Sequence, residues 1–199
     1  MNKIIEIQYF PIVDWFKIAT NSSHFRIDIY ENFKKMSFRN RCLISGSNGL
    51  INLTVPLVKG REQKSLITEI KVDDSEPWRA HHWKAIVSSY SRSPFFEFYG
   101  QEIKKLIFAP NPYLFEHNLK IIGWFNSVLK LGISIEFTES YKKEYEATAA
   151  TDYRNKWLPK NYARDGNDWQ PRYTQVFSDK FGFMPNLSIL DLLFCKGSL

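Results

Sequence analysis

Cysteine is scarce in this sequence, which has two, Cys42 and Cys195, among 199 residues. They form no CxxC pair, so neither a disulfide scaffold nor a cysteine zinc cluster is supported. We expect each to be a small buried apolar side chain. No apolar run approaches the roughly 20 residues that a membrane span needs. The N-terminus lacks a signal-peptide pattern, because its short mixed segment is interrupted by Pro11. These features predict a cytoplasmic protein.

Several motifs with well-understood chemistry are also missing. The sequence contains no GxGxxG, GxxxxGK[ST], GxSxG or HExxH. These absences disfavour an ordinary dinucleotide enzyme, a P-loop NTPase, an α/β hydrolase and a zincin. His81 and His82 are adjacent in a predicted helix, so they point in different directions and do not suit one shared metal. We therefore predict no metal site, and the sequence names no cofactor.

The charge balance favours a small anionic partner. The formal net charge is +6, with 27 basic and 21 acidic residues interspersed. A positive field attracts nucleotides, sugar phosphates or other anions, but a nucleic-acid binder would show a denser basic stripe. The 32 aromatic residues (16 Phe, 10 Tyr, 6 Trp) exceed what a core of this size needs. Some are expected to line a cleft or an interface, which leaves a homo-oligomer open.

The first half of the chain predicts a parallel start followed by a hairpin. Residues 3–9 and 24–30 resemble strands, and 12–19 resembles a helix that joins them, which is typical of a parallel βαβ unit. Residues 46–49, Gly-Ser-Asn-Gly, predict a hairpin turn between strands at 41–45 and 50–57. Residues 66–72 predict a further strand, after a charged loop at 59–64.

The second half predicts mainly helices. They are expected over 77–90, 98–107, 112–131 (closed by Gly132) and 186–195, with a strand at 133–138. Ser188 and Asp191 fit a capping box for the last helix. Residues 140–172 predict an irregular solvated segment, or a lid over a site. The length favours one domain over 1–199. We predict an α/β fold whose mixed sheet has a parallel βαβ start, a β-hairpin insertion, a central helical layer and a C-terminal helix.

The densest polar cluster directly follows the second predicted strand. Its members are Lys34, Lys35, Arg39, Asn40 and Arg41. If 38–44 is extended, Arg39 and Arg41 share a face and form a fork for phosphate or carboxylate. The carboxyl ends of parallel strands are the expected place for such a ligand. The alternative is a solvated basic edge that deters strand pairing. Asp28 and Glu31 would serve in acid–base chemistry or, more simply, in salt bridges.

A second candidate lies in the helix predicted at 77–90. His82 shares one face with Trp78, Ile86 and Tyr90, so it faces the interior or a cleft. An imidazole there suits a general acid or base near neutral pH. The alternative is a core histidine with satisfied hydrogen bonds.

A series of short motifs resembles the WbqC-like protein family. They cover nearly the whole chain in order: Tyr9-Phe10-Pro11, 32–41 (Asn-Phe-Lys-Lys-Met-Ser-Phe-Arg-Asn-Arg), 53–56 (Leu-Thr-Val-Pro), 78–82 (Trp-Arg-Ala-His-His), Tyr90, 93–96 (Ser-Pro-Phe-Phe), 173–177 (Tyr-Thr-Gln-Val-Phe), 187–194 and Gly197. The resemblance implies a role in bacterial O-antigen or other surface-polysaccharide biosynthesis. It suggests transfer of a glycine or other acyl group onto a sugar.

By position, the resemblance singles out Arg39, Asn40, Arg41, Trp78, His82, Tyr90 and Pro94. The resulting hypothesis is a transferase that holds an anionic or sugar-linked substrate on Arg39 and Arg41, with Lys35 and Asn40 assisting. His82 would be the catalytic base, and Trp78 or Tyr90 would stack on a ring. The alternative is a non-catalytic binding or assembly protein of the same pathway. The proposed site requires the side chains of Arg41 and His82 to lie in the same cleft.

Overall fold

A computed structural model of the chain describes residues 2–58, 64–146, 149–163 and 172–199. Its elements, in chain order, are β1 (Asn2–Ile5), α1 (Val13–Thr20), β2 (His24–Ile27), β3 (Arg41–Gly46), β4 (Gly49–Thr54), α2 (Trp78–Tyr90), α3 (Phe96–Phe108), α4 (Leu114–Val128), β5 (Ile135–Phe137), β6 (Ala150–Asp152), α5 (Ser178–Phe181) and α6 (Ile189–Lys196). Short 3₁₀ turns lie at Phe38–Asn40, Ile67–Glu69 and Pro159–Asn161.

Four strands form a parallel sheet in the order β5-β2-β1-β6. β1 and β2 pair in register from Asn2 with His24 to Ile5 with Ile27, and α1 connects them. The predicted βαβ start is therefore confirmed. The helix packs on the sheet through aromatic rings, because Trp15 contacts Phe25 edge to face with centroids 4.9 Å apart. This crossover brings the carboxyl ends of β1 and β2 to the same edge of the sheet.

The predicted hairpin is also confirmed, as a separate two-stranded antiparallel sheet of β3 and β4. After Arg41, every residue of β3 is buried, whereas β4 has one buried residue, Leu53. A strand covered on both faces explains the continuous run Cys42-Leu43-Ile44. The fold is thus mixed α/β, with a parallel four-stranded sheet, an antiparallel hairpin and helices packed around them.

The helical stripe of α2 is placed as the sequence predicts. Trp78, His82, Ile86 and Tyr90 are each at most 4% exposed. Their spacing of four residues puts them on one face, and that face points into the core.

The end predicted for the helix at 112–131 is wrong, because α4 ends at Val128 and Gly132 (φ +65°) does not close it. The left-handed residue that closes α4 is Lys130, with a φ of +52°, whose amide donates to the Ser127 carbonyl. No helix in the described part of the chain is both long and apolar enough to cross a membrane.

The strand predicted at 66–72 is wrong. Residues 67–69 form a 3₁₀ turn, and Leu66, Lys71 and Val72 make isolated bridges to three different partners. The buried residues are Ile67, Ile70 and Val72. These buried residues are three and then two positions apart. A strand with one buried face would bury every second residue, so the pattern fits a turn and not a strand.

The segment 140–172 is not wholly an irregular excursion. Ala150–Asp152 forms β6, which pairs in parallel with β1 and completes one edge of the sheet. The three residues of β6, Ala-Thr-Asp, show no alternation of apolar and polar side chains. Their strand conformation therefore depends on pairing with β1 and not on their own sequence. The predicted loop at 59–64 and the turn chemistry at 163–168 lie largely outside the described residues.

Ser188 caps α6 as predicted, since its Oγ accepts a hydrogen bond from the Leu190 amide at 3.3 Å. The predicted capping box is wrong, because the Asp191 carboxylate is used elsewhere. It accepts hydrogen bonds from Tyr90, Tyr173 and Gln175 instead.

Gly197 ends α6 in a conformation that only glycine adopts without strain. Its φ is +78°, and a Cβ there would lie 2.7 Å from Cε1 of Phe95. Gly197→Ala should lower the free energy of unfolding by roughly 2 kcal/mol, from left-handed strain and displacement of the ring. Chemical denaturation measures this effect. The control is Gly123→Ala, in the exposed face of α4 with nothing within 4 Å of the new Cβ. It should raise stability by about 0.5–1 kcal/mol, and a loss of similar size in both variants would contradict this account of Gly197.

Candidate functional site

Polar side chains gather at the carboxyl edge of the parallel sheet. Glu6 directly follows β1, Asp28 follows β2, Thr138 follows β5, and Asp152 ends β6. Glu6 and Asp28 are fully buried. The Thr138 hydroxyl donates to Asp28 Oδ1 at 3.0 Å, which ties the ends of two adjacent strands together. Because parallel strands end at a common edge, four separate segments deliver their polar groups to one place.

Two arginines balance these carboxylates. The guanidinium of Arg39, 1% exposed, grips Glu31 with two bonds, Nε to Oε1 at 2.7 Å and Nη2 to Oε2 at 2.5 Å. Its Nη1 donates to Asn155 Oδ1 at 3.0 Å. Arg154 joins two strand ends, because its Nη1 donates to Asp28 Oδ2 and its Nη2 to Asp152 Oδ2, both at 2.6 Å. The result is a connected charge network across the sheet edge.

A cavity of about 350 Å³ opens on this network, and we call it the strand-end cavity. Its charged lining consists of Glu31, Lys34, Arg39, Lys143, Asp152 and Arg154. Four cations against two carboxylates make the lining net positive. Such a cavity favours an anionic ligand over a cationic one.

Glu31 has the electrostatic setting of an acid–base group. Burial raises its pKa to about 7, against the lowering effect of Arg39, and the nearby charges of Glu6 and Asp28 add to the increase. Proton exchange near neutral pH is what a general acid or base requires. Of the two roles that the sequence leaves open for this residue, the structure shows the salt bridge, and the acid–base role stays a prediction.

Arg39 and Arg41 do not share a face. Residues 38–40 form a 3₁₀ turn, which the Ser37 hydroxyl caps by accepting from the Arg39 amide. The premise that 38–44 is extended is therefore wrong over its first three residues. Arg39 turns toward the strand-end cavity, whereas Arg41 begins β3 and lines a different cavity.

This second cavity, of about 260 Å³, we call the hairpin cavity. Its lining includes Lys35, Asn40, Arg41, Thr54, Val55 and Pro56. Three of the predicted substrate-binding residues thus come together, on the outer side of the hairpin. Asn40 donates to the Val55 carbonyl at 2.9 Å. Within the described ranges, Asn40 Oδ1 and Arg41 Nε are buried without a hydrogen-bond partner. This wall therefore contains one unpaired acceptor and one unpaired donor.

Residues 31–36 separate the two cavities. Asn32 and Lys34 line the strand-end cavity, and Phe33 and Lys35 line the hairpin cavity. The alternation holds over 32–35 only, because Glu31 also lines the strand-end cavity and Met36, in a turn with Lys35, also lines the hairpin cavity. Adjacent residues of one segment therefore serve opposite sites.

His82 lies behind the wall of the hairpin cavity, and it is 4% exposed. Its Nδ1 lies 3.0 Å from the Tyr9 hydroxyl and its Nε2 lies 3.2 Å from the carbonyl of Thr54, the hairpin partner of Arg41. A carbonyl only accepts, so Nε2 carries the proton and Nδ1 accepts from Tyr9. Burial lowers the pKa of His82 to about 4. The imidazole is neutral with both nitrogens engaged, and its catalytic role stays a prediction.

The two predicted stacking residues are in the core. Trp78 belongs to an aromatic cage with Tyr9, His82 and His117. Tyr90 is fully buried and donates to Asp191 at 2.9 Å. Neither ring is among the residues that line the two cavities.

Sequence reasoning missed Glu6, Arg154 and Asn155 as members of the site. Glu6 gave a signal, as an acidic residue at the end of an apolar strand. Arg154 and Asn155 gave none, because the strand that positions them was not recognisable. In the described part of the chain, no three His, Cys, Asp or Glu side chains are arranged to hold a metal ion.

Comparison with known proteins agrees with the motif series. The sequence profile of the WbqC-like protein family matches residues 7–198. The chain belongs to this family. This WbqC-like protein is also similar to the "Uncharacterized protein Rv1507c" of Mycobacterium tuberculosis (strain ATCC 25618 / H37Rv). The two are 29% identical over 222 aligned residues, which cover 98% of this chain and 93% of the relative. No solved structure matches this chain.

The aromatic cage should make stability depend on pH. Burial lowers the pKa values of His82 and His117 to about 4, below the ordinary value near 6.5. Between these values the unfolded chain binds more protons, so the free energy of unfolding should fall as pH drops from 6.5 to 4. Glu31 has the opposite effect on stability, because its pKa is raised from 4.5 to about 7 in the folded protein. Between these pH values the folded chain binds more protons, so its contribution to the free energy of unfolding rises as the pH falls.

His117→Phe isolates one histidine, because phenylalanine keeps a ring beside Tyr9 (centroids 6.0 Å) without a titrating group. Relative to the parent protein, its free energy of unfolding should rise by about 3 kcal/mol between pH 7 and pH 4. Urea unfolding over a pH series measures the difference. His81→Phe, at an exposed position of α2, is the matched control. A difference for His117→Phe that stays constant with pH would contradict the burial argument.

Proposed function

We propose that this WbqC-like protein is a transferase that binds a small anionic donor in the strand-end cavity. The observation that carries the proposal is the arrangement of this cavity. The segments that follow the parallel strands line it with a net positive set of side chains and with one buried carboxyl, Glu31, whose pKa burial raises to about 7. Anion binding beside an acid–base group is what a donor with a phosphate or carboxylate needs.

The reaction that fits best is transfer of a glycyl or other acyl group onto a sugar during surface-polysaccharide assembly. Family resemblance supports the reaction class, and the cavity supports the chemistry. Lys34, Lys143 and Arg154 would hold the donor's anionic group. Glu31 would take the proton from the attacking amine or hydroxyl while that atom forms a bond to the acyl carbon of the donor. The bond from this carbon to the rest of the donor would break, and the departing anionic group would stay on Lys34, Lys143 and Arg154. Arg39 would hold the Glu31 carboxyl in position. Lys35, Asn40 and Arg41 line the separate hairpin cavity, and their role in binding substrate stays a prediction.

Lys34 and Lys35 form a natural test of where the anion binds. They are adjacent in the chain, and each lines a different cavity. Lys34→Met should weaken binding of inorganic pyrophosphate by roughly tenfold, the value of one charge-assisted hydrogen bond, and Lys35→Met by less than about twofold. Isothermal titration calorimetry measures both. The reverse order would move the anion to the hairpin cavity, and equal binding by both variants would remove the strand-end cavity from the proposal.

A second test separates Glu31 from His82 as the base. Loss of a general base costs on the order of 10² or more in rate. Glu31→Gln should therefore fail to restore surface polysaccharide to a strain that lacks the gene, while it still binds pyrophosphate. His82→Gln is compared in the same strain. If His82→Gln alone fails while it folds with parental stability, the imidazole and not Glu31 is the base.

A non-catalytic binding protein is the second candidate function. The observation that favours it is that Arg39 already donates from Nε and Nη2 to the two carboxylate oxygens of Glu31. These donors are therefore not available to a substrate. In that case the charge network is a rigid receptor wall and no proton moves. This function is selected if His82→Gln complements fully and if Glu31→Gln, once shown to fold and to bind pyrophosphate like the parent protein, also complements fully.

A further inference from the structure

A third cavity, of about 650 Å³, lies between the end of α2 and the residues that follow position 173. We call it the serine-rich cavity, because its hydroxyl groups come from Ser88, Ser89, Ser91, Ser93, Thr174 and Ser178. It is nearly twice the volume of the strand-end cavity. The proposed transferase reaction uses none of these residues.

The serine-rich cavity is separate from the strand-end cavity. The two cavities share no lining residue, since one is lined by residues 88–94, 174–179 and Cys195 and the other by residues between 31 and 39 and between 141 and 155. A ligand here would therefore not occupy the strand-end site.

A buried network holds one wall of this cavity in place. The Asp191 carboxylate accepts hydrogen bonds from Tyr90 at 2.9 Å, Tyr173 at 2.7 Å and Gln175 at 2.8 Å. Its three donors are uncharged, and burial raises its pKa. Gln175 also bonds the Met184 backbone through both ends of its amide. This wall is fixed before any ligand arrives, at the energetic cost of a buried carboxylate.

The chemistry of the lining is neutral and rich in hydroxyls. One cation, Arg92, and one anion, Asp179, offset each other. The carbonyl end of α2 faces this region, which disfavours an anion. Ser89 adds an independent sign of a missing partner, because it is 4% exposed and its Oγ has no hydrogen-bond partner within the described ranges. Phe177 supplies an aromatic ring at the same cavity.

We propose that the serine-rich cavity is a second ligand site, which binds an uncharged, hydroxyl-rich ligand of the saccharide class. Serine and threonine hydroxyls both donate and accept, so they match the hydroxyls of a sugar, which also do both. A phenylalanine ring offers an apolar face for the C–H side of the sugar ring. A cavity of this volume holds one or two sugar units. The site is independent of the donor site, so each proposal can fail alone.

The test is a titration of the full-length ¹⁵N-labelled protein with methyl β-D-glucopyranoside and with N-acetylglucosamine. Saturable shifts confined to amides in 88–94 and 174–179 are expected for at least one sugar. Inorganic phosphate is the comparison probe, and it should move signals of the strand-end cavity instead. The sugars are taken to about 50 mM, at which a site with a millimolar Kd is largely filled.

Two variants and two matched controls assign the effect. Thr174→Val and Phe177→Ala should each weaken sugar binding by roughly fivefold, the value of one hydrogen bond or one ring contact. Thr20→Val and Phe98→Ala, at exposed positions elsewhere, should leave it unchanged. The proposal is overturned if neither sugar gives saturable shifts at 88–94 and 174–179, if phosphate binds there more tightly than sugar, or if the controls weaken binding as much as the variants.

Discussion

The buried pairing of Arg39 with Glu31 is the interaction on which the strand-end architecture depends. Arg39 reaches three parts of the chain, because its guanidinium binds Glu31 and Asn155 and its backbone carbonyl accepts from Asn118 of α4 at 2.7 Å. Asn155 in turn donates its amide to Glu6 at 2.8 Å. Removal of one member would leave an uncompensated buried charge, which costs about 3–5 kcal/mol. The geometry of the site and the packing of α4 therefore rest on the same pair.

This constraint also explains why Glu31 differs electrically from an ordinary surface glutamate. Glu6, Asp28 and Glu31 are buried together, and two guanidiniums do not neutralise all the carboxylates at the sheet edge. Burial and the neighbouring charges of Glu6 and Asp28 therefore raise the pKa of Glu31, against the lowering effect of Arg39. The two lysines of the lining, Lys34 and Lys143, are exposed and add positive charge on the solvent side of the buried carboxylates.

Local patterns were sufficient for the elements that carry their own signals. The βαβ start, the Gly-flanked hairpin and the apolar stripe of α2 each follow from periodicity and turn chemistry within a few residues. The misses share one physical cause. β6 exists because β1 offers an unpaired edge, and Arg39 turns away from Arg41 because Glu31 and Asn155 bind it. Such choices are made by partners far along the chain, and no local pattern encodes them.

The site residues divide in the same way. Lys35, Asn40 and Arg41 meet because they lie on one short stretch that leads into β3. His82 reaches the same hairpin from the other side, and its contact with the Thr54 carbonyl makes it part of the wall. A helical stripe identifies a buried imidazole but does not tell whether its nitrogens are engaged, since that depends on the backbone packed against it.

The pairing of Asn2 with Ala150 has a consequence for how the protein is made. β1 and its outer neighbour β6 are far apart in the chain, so β1 is synthesised well before the strand that covers its edge. Until then the edge of β1 stays open, with unsatisfied amides that another chain can pair with. Fragments truncated before position 150 should thus be prone to aggregation, and Arg154 and Asn155 complete the polar centre only after β6 has been made.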